Sequence, residues 1–169
     1  MSKRALKKYL AELKQEELAE QLMDLYERFP VVKEYYDFVF NPKEDKMVQE
    51  AKVKISNEYF PVKRKRPKAR RSVAQKFIKH FIKLGVEPRL VADVMLYNVE
   101  IAQAFSADKN VPDAFYKSML NSFTEAVQYI AINALLSDFK GRIVKVFETT
   151  QNQKWPNEDE FSRALDIID

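Results

Sequence analysis

Apolar residues recur along this chain at steps of three and four, which is the period of an amphipathic helix. Before Pro30, this spacing predicts two helices separated near Lys14, which carry Leu6, Tyr9, Leu10, Leu13, Leu18, Leu22, Leu25, Tyr26 and Phe29. A short third helix follows Pro30, and a fourth helix ends before Pro61. Asn41 is predicted to cap the fourth helix, with Pro42 as its first residue.

The second half of the chain continues the helical pattern. Ser72 and Gln75 have the spacing of a capping box, so a helix is predicted from there to Gly85, a residue type that often ends helices. The next helix begins at Pro88, is apolar around most of its circumference and is predicted to be central. Pro112 begins another long helix.

The C-terminal part is predicted to be helical as well. The segment 141–147 is rich in β-branched residues, but a single strand without a partner cannot form a sheet, so we predict helix there. Asn157 and Glu160 have capping-box spacing, ahead of a closing helix that carries Phe161, Ala164, Leu165 and Ile168. The fold class is therefore all-α. We predict an irregular bundle of eight or nine helices, and the alternative is a short two-layer helical array.

Composition narrows the classes of protein to which the chain can belong. Its 169 residues include two glycines, one histidine and no cysteine. This excludes glycine-rich phosphate loops, disulfides, thiolate metal sites and cysteine nucleophiles. We expect no metal site and no cofactor. We also expect one domain over residues 1–169, no membrane span and a cytoplasmic location.

Three stretches carry a resemblance to a known family: Tyr35-Tyr36-Asp37-Phe38-Val39-Phe40-Asn41-Pro42-Lys43-Glu44-Asp45-Lys46, Tyr59-Phe60-Pro61, and Pro67-Lys68-Ala69-Arg70-Arg71-Ser72-Val73-Ala74-Gln75. Through these, and over nearly its whole length, the chain resembles an uncharacterised bacterial domain-of-unknown-function family, number 6155 in that series. The resemblance implies a stand-alone bacterial cytosolic protein. It brings no assigned activity, catalytic residue or ligand.

The net charge of +4 conceals a strong separation of charge along the chain. Ten lysines and arginines and no acidic residue lie between Tyr59 and Val86, whereas the rest of the chain has 19 basic and 25 acidic residues. The densest part is the proline-containing segment 61–71, which we predict to be an ordered or semi-ordered loop. A second basic group lies at the start of the chain: Lys3, Arg4, Lys7 and Lys8.

The basic loop continues onto the helix that follows it. Lys76, Lys79 and Lys83 share one face of that helix with His80. Arg70 and Arg71 lie at its start, where the helix dipole is already positive, so an anion is expected there. We therefore predict a non-enzymatic protein that binds RNA or DNA through phosphates. The residues assigned to this binding are Lys63, Arg64, Lys65, Arg66, Lys68, Arg70, Arg71, Lys76, Lys79 and Lys83.

Three alternatives remain open at this point. The basic residues can form a solvated surface that the protein's own acidic helices balance. They can instead dock an acidic protein or a second copy of the chain, which would make this a protein–protein interaction module. Finally, Asp93, Tyr97 and Glu100 share one face of the central helix and are the best candidates for catalysis. The commoner roles for such residues are to form the solvent side of the helix or to pair with lysine or arginine from a neighbouring helix.

Overall fold

The computed structural model describes residues 2–63 and 66–166. Within these ranges the protein is an all-α multi-helix bundle of nine helices without strands, as the hydrophobic pattern predicts. The helices are α1 (Lys3–Ala11), α2 (Gln15–Arg28), α3 (Pro30–Phe40), α4 (Glu44–Tyr59), α5 (Arg71–Leu84), α6 (Pro88–Ser106), α7 (Asp113–Ile132), α8 (Leu136–Asn152) and α9 (Glu158–Leu165). Ile168, predicted on the last helix, lies outside the described residues.

The chain divides into two compact units, which we call unit 1 (Met1–Lys43) and unit 2 (Glu44–Asp169). Unit 1 contains α1, α2 and α3, and its helices are linked by side-chain hydrogen bonds. Gln21 Nε2 donates to Tyr9 Oη at 2.7 Å, and Tyr26 Oη donates to Asp37 Oδ1 at 2.8 Å. None of the residues on these three helices is buried.

Unit 2 is organised around α6, which packs against α4, α5, α7 and α8. Ten residues of α6 are buried, among them Val91, Leu96 and Val99, so the prediction of a central helix is confirmed. The hydrophobic effect explains this position, because a helix that is apolar on most sides gains free energy only when neighbours cover most of its circumference. The stretch 141–147 lies within α8 and is helical, as predicted.

Three helix ends lie at the prolines and the glycine that the sequence indicates, whereas Pro42, predicted to begin the fourth helix, lies before α4. Pro30 and Pro88 begin α3 and α6. Gly85 ends α5 with φ of 83°, a left-handed conformation that glycine adopts without steric cost.

The predictions that depended on side-chain caps were wrong. Asn41 follows the end of α3, whereas α4 begins at Glu44. The helix after the basic loop begins at Arg71, so Ser72 lies inside it and no capping box forms. Asn157 occupies the N-cap position of α9 as predicted, but its amide Nδ2 donates to the carbonyl oxygen of Tyr116 at 3.1 Å and its side chain forms no capping hydrogen bond. The hydrogen bond to Tyr116, a tertiary contact, takes the place of the predicted local hydrogen bond to the first turn of α9.

Candidate anion-binding surface

The C-terminal part of the basic loop is fixed to the end of α4. The backbone N–H groups of Lys68 and Ala69 both donate to the carbonyl oxygen of Glu58, at 3.0 and 2.9 Å. Ala69 has a positive φ of 48°, which turns the chain toward α5. These contacts hold the C-terminal part of the loop against α4. Arg64 and Lys65, two of the predicted binding residues, lie outside the described residues.

Arg70 forms a two-pronged ion pair with Glu58. Its Nε and Nη2 donate to the two carboxylate oxygens at 2.8 and 3.0 Å. The Glu58 carboxylate raises the pKa of Arg70 above its usual range, chiefly through these hydrogen bonds. Glu58 is only 5% exposed, so its charge needs a partner inside the protein.

Arg71 also has partners within the protein, on α7. Its Nε donates to Ser122 Oγ at 2.6 Å, and its Nη2 donates to Glu125 Oε2 at 2.7 Å. Gln75 Nε2 donates to the same Glu125 oxygen at 2.9 Å. Both arginines at the start of α5 are therefore paired with the protein's own carboxylates, whereas the sequence predicts that they bind an external anion there.

Six of the predicted binding residues are exposed and form no ion pair within the described part of the chain. We call this set the cationic surface: Lys63, Arg66 and Lys68 in the loop, and Lys76, Lys79 and Lys83 on α5. On the neighbouring α4, Lys54 places its ammonium group 5.5 Å from the centre of the Phe77 ring. This contact adds another exposed positive charge beside α5.

The carboxylates of α6 belong to a separate ion-pair cluster. Arg142 Nη1 donates to Asp93 Oδ1 at 2.7 Å, and its Nε and Nη2 donate to Glu100 at 2.9 and 2.8 Å. Lys52 Nζ lies 2.6 Å from Asp93 Oδ2 and 5.2 Å from the centre of the Tyr97 ring. Of the two non-catalytic roles expected for these carboxylates, the structure shows pairing with basic residues from neighbouring helices.

The cluster stabilises the ionised form of Asp93. Burial alone would raise the pKa of this carboxyl group, but hydrogen bonds and charge from Lys52 and Arg142 outweigh burial and lower the pKa below its usual value. Burial also opposes the charge on Arg142, and its two carboxylate partners nevertheless raise the pKa of the guanidinium. Asp93 is thus a committed hydrogen-bond acceptor rather than a group poised to take up a proton at neutral pH.

Comparison with known sequences places the chain in a family. The profile of a family of unknown function (DUF6155) matches residues 1–169. The chain belongs to this family. The resemblance read from the three sequence stretches is therefore confirmed over the full length. No curated protein and no solved structure matches the chain.

Membership of DUF6155 assigns no activity, so we asked whether the grooves of the protein could form an active site. One groove of about 500 Å³ is lined by Glu100, Gln103, Arg142, Thr149 and Gln153, among others. A second, of about 610 Å³, lies between α5, α6 and α7 and includes Arg71, Gln75, Glu125, Tyr129 and Ile132. Neither groove joins Asp93 to Glu100, the arrangement that catalysis by this pair would require.

The part of the chain that the structure describes contains neither a cluster of metal ligands nor a membrane-spanning helix. Across residues 2–63 and 66–166, no group of three histidine or acidic side chains is arranged to hold a metal ion. Over the same residues, each helix is too short or too polar to cross a bilayer.

Sequence reasoning missed Glu58, Ser122 and Glu125 as partners of the two arginines. Glu125 was visible as part of a polar stripe on its helix, with Asn121 and Gln128, but Glu58 gave no signal. Its carboxylate lies 12 residues before Arg70, and Ser122 lies 51 residues after Arg71. Contacts at such separations depend on the tertiary fold, which periodicity does not specify.

Proposed function

We propose that this protein is a non-enzymatic module that binds the phosphate backbone of RNA or DNA through the cationic surface, in the cytoplasm and without reading base sequence. The observation that carries the proposal is the set of six exposed cations with no carboxylate partner among the described residues. Arg70 and Arg71 form ion pairs within the protein, whereas these six basic residues do not form one among the described residues.

Electrostatics favours a polyanion as the partner. Keeping this many like charges together costs self-repulsion, and single surface ion pairs return only about 0–1 kcal/mol each. A nucleic acid returns more, because each phosphate that a lysine or arginine neutralises releases condensed counterions into solution. The described segment 66–86 contains no acidic residue that would oppose such an approach.

The geometry of α5 suits a phosphate backbone. Lys76 and Lys83 are separated by two helical turns, or about 10 Å along the axis. A strand of duplex DNA carries one charge per about 3.4 Å of helix axis, so this row can follow several successive phosphates. The first turn of α5 has no acidic residue of its own and no side-chain cap, so the positive helix end adds to the positive potential of this surface.

The test compares two triple variants with a matched control. One changes Lys76, Lys79 and Lys83 to glutamine, and the other changes Lys63, Arg66 and Lys68 to glutamine. The control changes three exposed lysines elsewhere in unit 2 to glutamine: Lys109, Lys117 and Lys140. All three variants lose the same charge. Arg70 and Arg71 stay intact, since their loss would disturb the fold as well as the surface.

Fluorescence anisotropy with single- and double-stranded RNA and DNA, at several salt concentrations, provides the measurement. We expect each surface variant to weaken binding at least tenfold and to flatten the log–log salt slope by roughly 0.9 per lost duplex contact. The control should stay within twofold of the parent protein. Absence of binding at low salt, or an equal loss in the control, would overturn the proposal. If the protein bound polyglutamate and not nucleic acid, the result would favour the alternative function, in which the basic residues dock an acidic protein.

A further inference from the structure

Unit 1 presents a large apolar face to solvent. Twelve of its large apolar side chains are each more than one-third exposed, and no residue of α1, α2 or α3 is buried. These side chains are Leu6, Tyr9, Leu10, Leu18, Leu22, Met23, Leu25, Phe29, Val31, Tyr35, Val39 and Phe40. Exposed apolar side chains in this number, on helices that bury none of their residues, indicate a surface that another molecule covers.

The charges of the first two helices are opposite and equal. Helix α1 carries Lys3, Arg4, Lys7 and Lys8 and no acid, whereas α2 carries five acidic residues and only Arg28 as a cation. Arg28 is already paired with Asp24 at 2.8 Å. Within the described residues, none of the four α1 cations forms an ion pair. The two helices therefore offer unpaired charge of opposite sign.

We propose that two copies of this chain associate through unit 1, with α1 of each copy against α2 of the other. A two-fold axis brings both complementary pairs together at once, because every contact in such an interface occurs twice. Unit 1 as a whole has eight basic and eight acidic residues, so a second copy is not repelled. A strongly basic or strongly acidic partner would match only one of the two helices.

The arrangement along each helix fits an interface with an apolar centre and a polar rim. On α1, Leu6, Tyr9 and Leu10 share one face, and Lys3 and Lys7 lie on the adjoining side. On α2, Leu18, Leu22 and Leu25 share one face in the same way, and Glu17 and Asp24 lie beside it. Asp24 also pairs with Arg28 and Glu17 accepts a hydrogen bond from the backbone N–H of Lys14, so both carboxylates have a second contact within α2 and its cap. When α1 of one copy packs against α2 of the other, the leucines and Tyr9 at the centre become buried. The lysines of α1 then lie close to the carboxylates of α2 at the edge of the interface.

The exposed apolar side chains of α1 and α2 supply much of the area that a dimer interface needs. A standard interface buries roughly 800 Å² on each partner. Tyr9 on α1 and Phe29 at the end of α2 are 45% and 52% exposed. Since a ring of this kind buries roughly 150–250 Å² when fully covered, these two provide about a quarter of that area, and the exposed leucines of α1 and α2 add to it.

The first experiment measures the mass of the full chain in solution by light scattering and sedimentation over a range of concentrations. We expect twice the 19.9 kDa of one chain. Changing Leu6, Leu10 and Leu22 to glutamine should weaken association at least tenfold, without loss of helical circular dichroism, because none of the three is buried. The matched control changes three exposed apolar residues of unit 2 to glutamine and should remain dimeric: Val53, Val62 and Ile132.

The second experiment reverses charge. One variant replaces Lys3 and Lys7 of α1 with glutamate, and another replaces Glu17 and Asp24 of α2 with lysine, because these are the charged residues beside the two apolar faces. Each variant alone should be monomeric, whereas an equal mixture should form a heterodimer, because complementary helices then meet between chains. Mixing cannot restore a contact that exists only within one chain. A parent protein that stays monomeric, assembles beyond a dimer, or gives variants that fail to pair on mixing would overturn the proposal.

Discussion

Two arginines at the start of α5 have carboxylate partners in different surroundings. The side chain of Glu58 is 7% exposed, whereas that of Glu125 is 46% exposed. Hydrogen bonds to a buried charge contribute more than those at a surface, where water competes for both partners. These two similar-looking ion pairs should therefore differ in their contribution to folding.

We expect Glu58→Gln to lower the free energy of unfolding by about 2 kcal/mol, because a neutral amide cannot replace the doubly hydrogen-bonded carboxylate. The matched change Glu125→Gln should cost less than about 1 kcal/mol. Urea unfolding followed by circular dichroism measures both. Equal losses in the two variants would show that burial does not set the contribution of these pairs.

The ion-pair cluster on α6 makes the free energy of unfolding depend on pH. Because the folded pKa of Asp93 lies below its unfolded value, the unfolded chain binds a proton there more readily. The stabilisation is present above the unfolded pKa and is lost as the pH falls through the folded pKa. We expect the deficit of Asp93→Asn relative to the parent protein to be largest near neutral pH and to shrink below about pH 4.

Urea unfolding of both proteins at several pH values between about 7 and 3 tests this expectation. Asp108→Asn is the control, since Asp108 is exposed and forms no ion pair in the described chain. A deficit for Asp93→Asn that stays constant over this pH range would contradict a pKa lowered by Lys52 and Arg142.

At the scale of single elements, helix existence could be predicted from sequence, and so could several of the ends that depend on backbone conformation, although not the start of α4 at Pro42. Pro88 marks a helix start because its ring fixes φ at a helical value. Gly85 marks a helix end because glycine adopts a positive φ without steric cost. Ser72 and Asn157 failed as caps because the outcome depends on competition with other partners. The Asn157 amide bonds to Tyr116, 41 residues away, which no local pattern encodes.

The candidate site divides in the same way. The density of basic residues between Tyr59 and Val86 is a property of sequence and could be identified directly. The division of these residues into paired and unpaired cations is tertiary, because it requires Glu58 of α4 and Glu125 of α7 to lie beside the start of α5. The structure thus removes Arg70 and Arg71 from the set of exposed, unpaired cations and leaves the lysines of α5 in it.

The two glycines allow a test of element boundaries with one kind of substitution. Gly85 ends α5 with φ of 83°, whereas Gly141 lies within α8, and no atom would obstruct a Cβ at either position. Gly85→Ala should cost about 1 kcal/mol, because alanine is strained in the left-handed conformation. Gly141→Ala should stabilise by about 0.5–1 kcal/mol, since alanine favours helix. Thermal unfolding should give shifts of opposite sign, and equal signs would contradict this account.

On the scale of the whole molecule, the two units differ in how their helices are stabilised. Every buried residue in the described chain lies between Val48 and Ala164, in unit 2. Unit 1 has helices with apolar faces but no core of its own. Burial of apolar area is the main source of folding free energy, so unit 2 should supply nearly all of the stability.

This separation predicts the behaviour of a fragment that contains residues 42–169. It retains Glu44, whose carboxylate accepts a hydrogen bond from the backbone N–H of Glu87 at 2.9 Å. We expect the fragment to unfold cooperatively, with a free energy of unfolding within about 1 kcal/mol of that of the full-length monomer, because it keeps all the buried side chains. It should also bind nucleic acid as the monomer does, since the cationic surface lies wholly within it.

The same fragment should sediment as a single chain, because the apolar face and the opposed charges of α1 and α2 are gone. Urea unfolding, anisotropy and sedimentation of one preparation therefore separate three properties. A fragment that unfolds without cooperativity would place part of the folding free energy in unit 1. A folded fragment that remains dimeric would move the interface into unit 2, where the grooves beside α5 and α8 would then be the surfaces to examine.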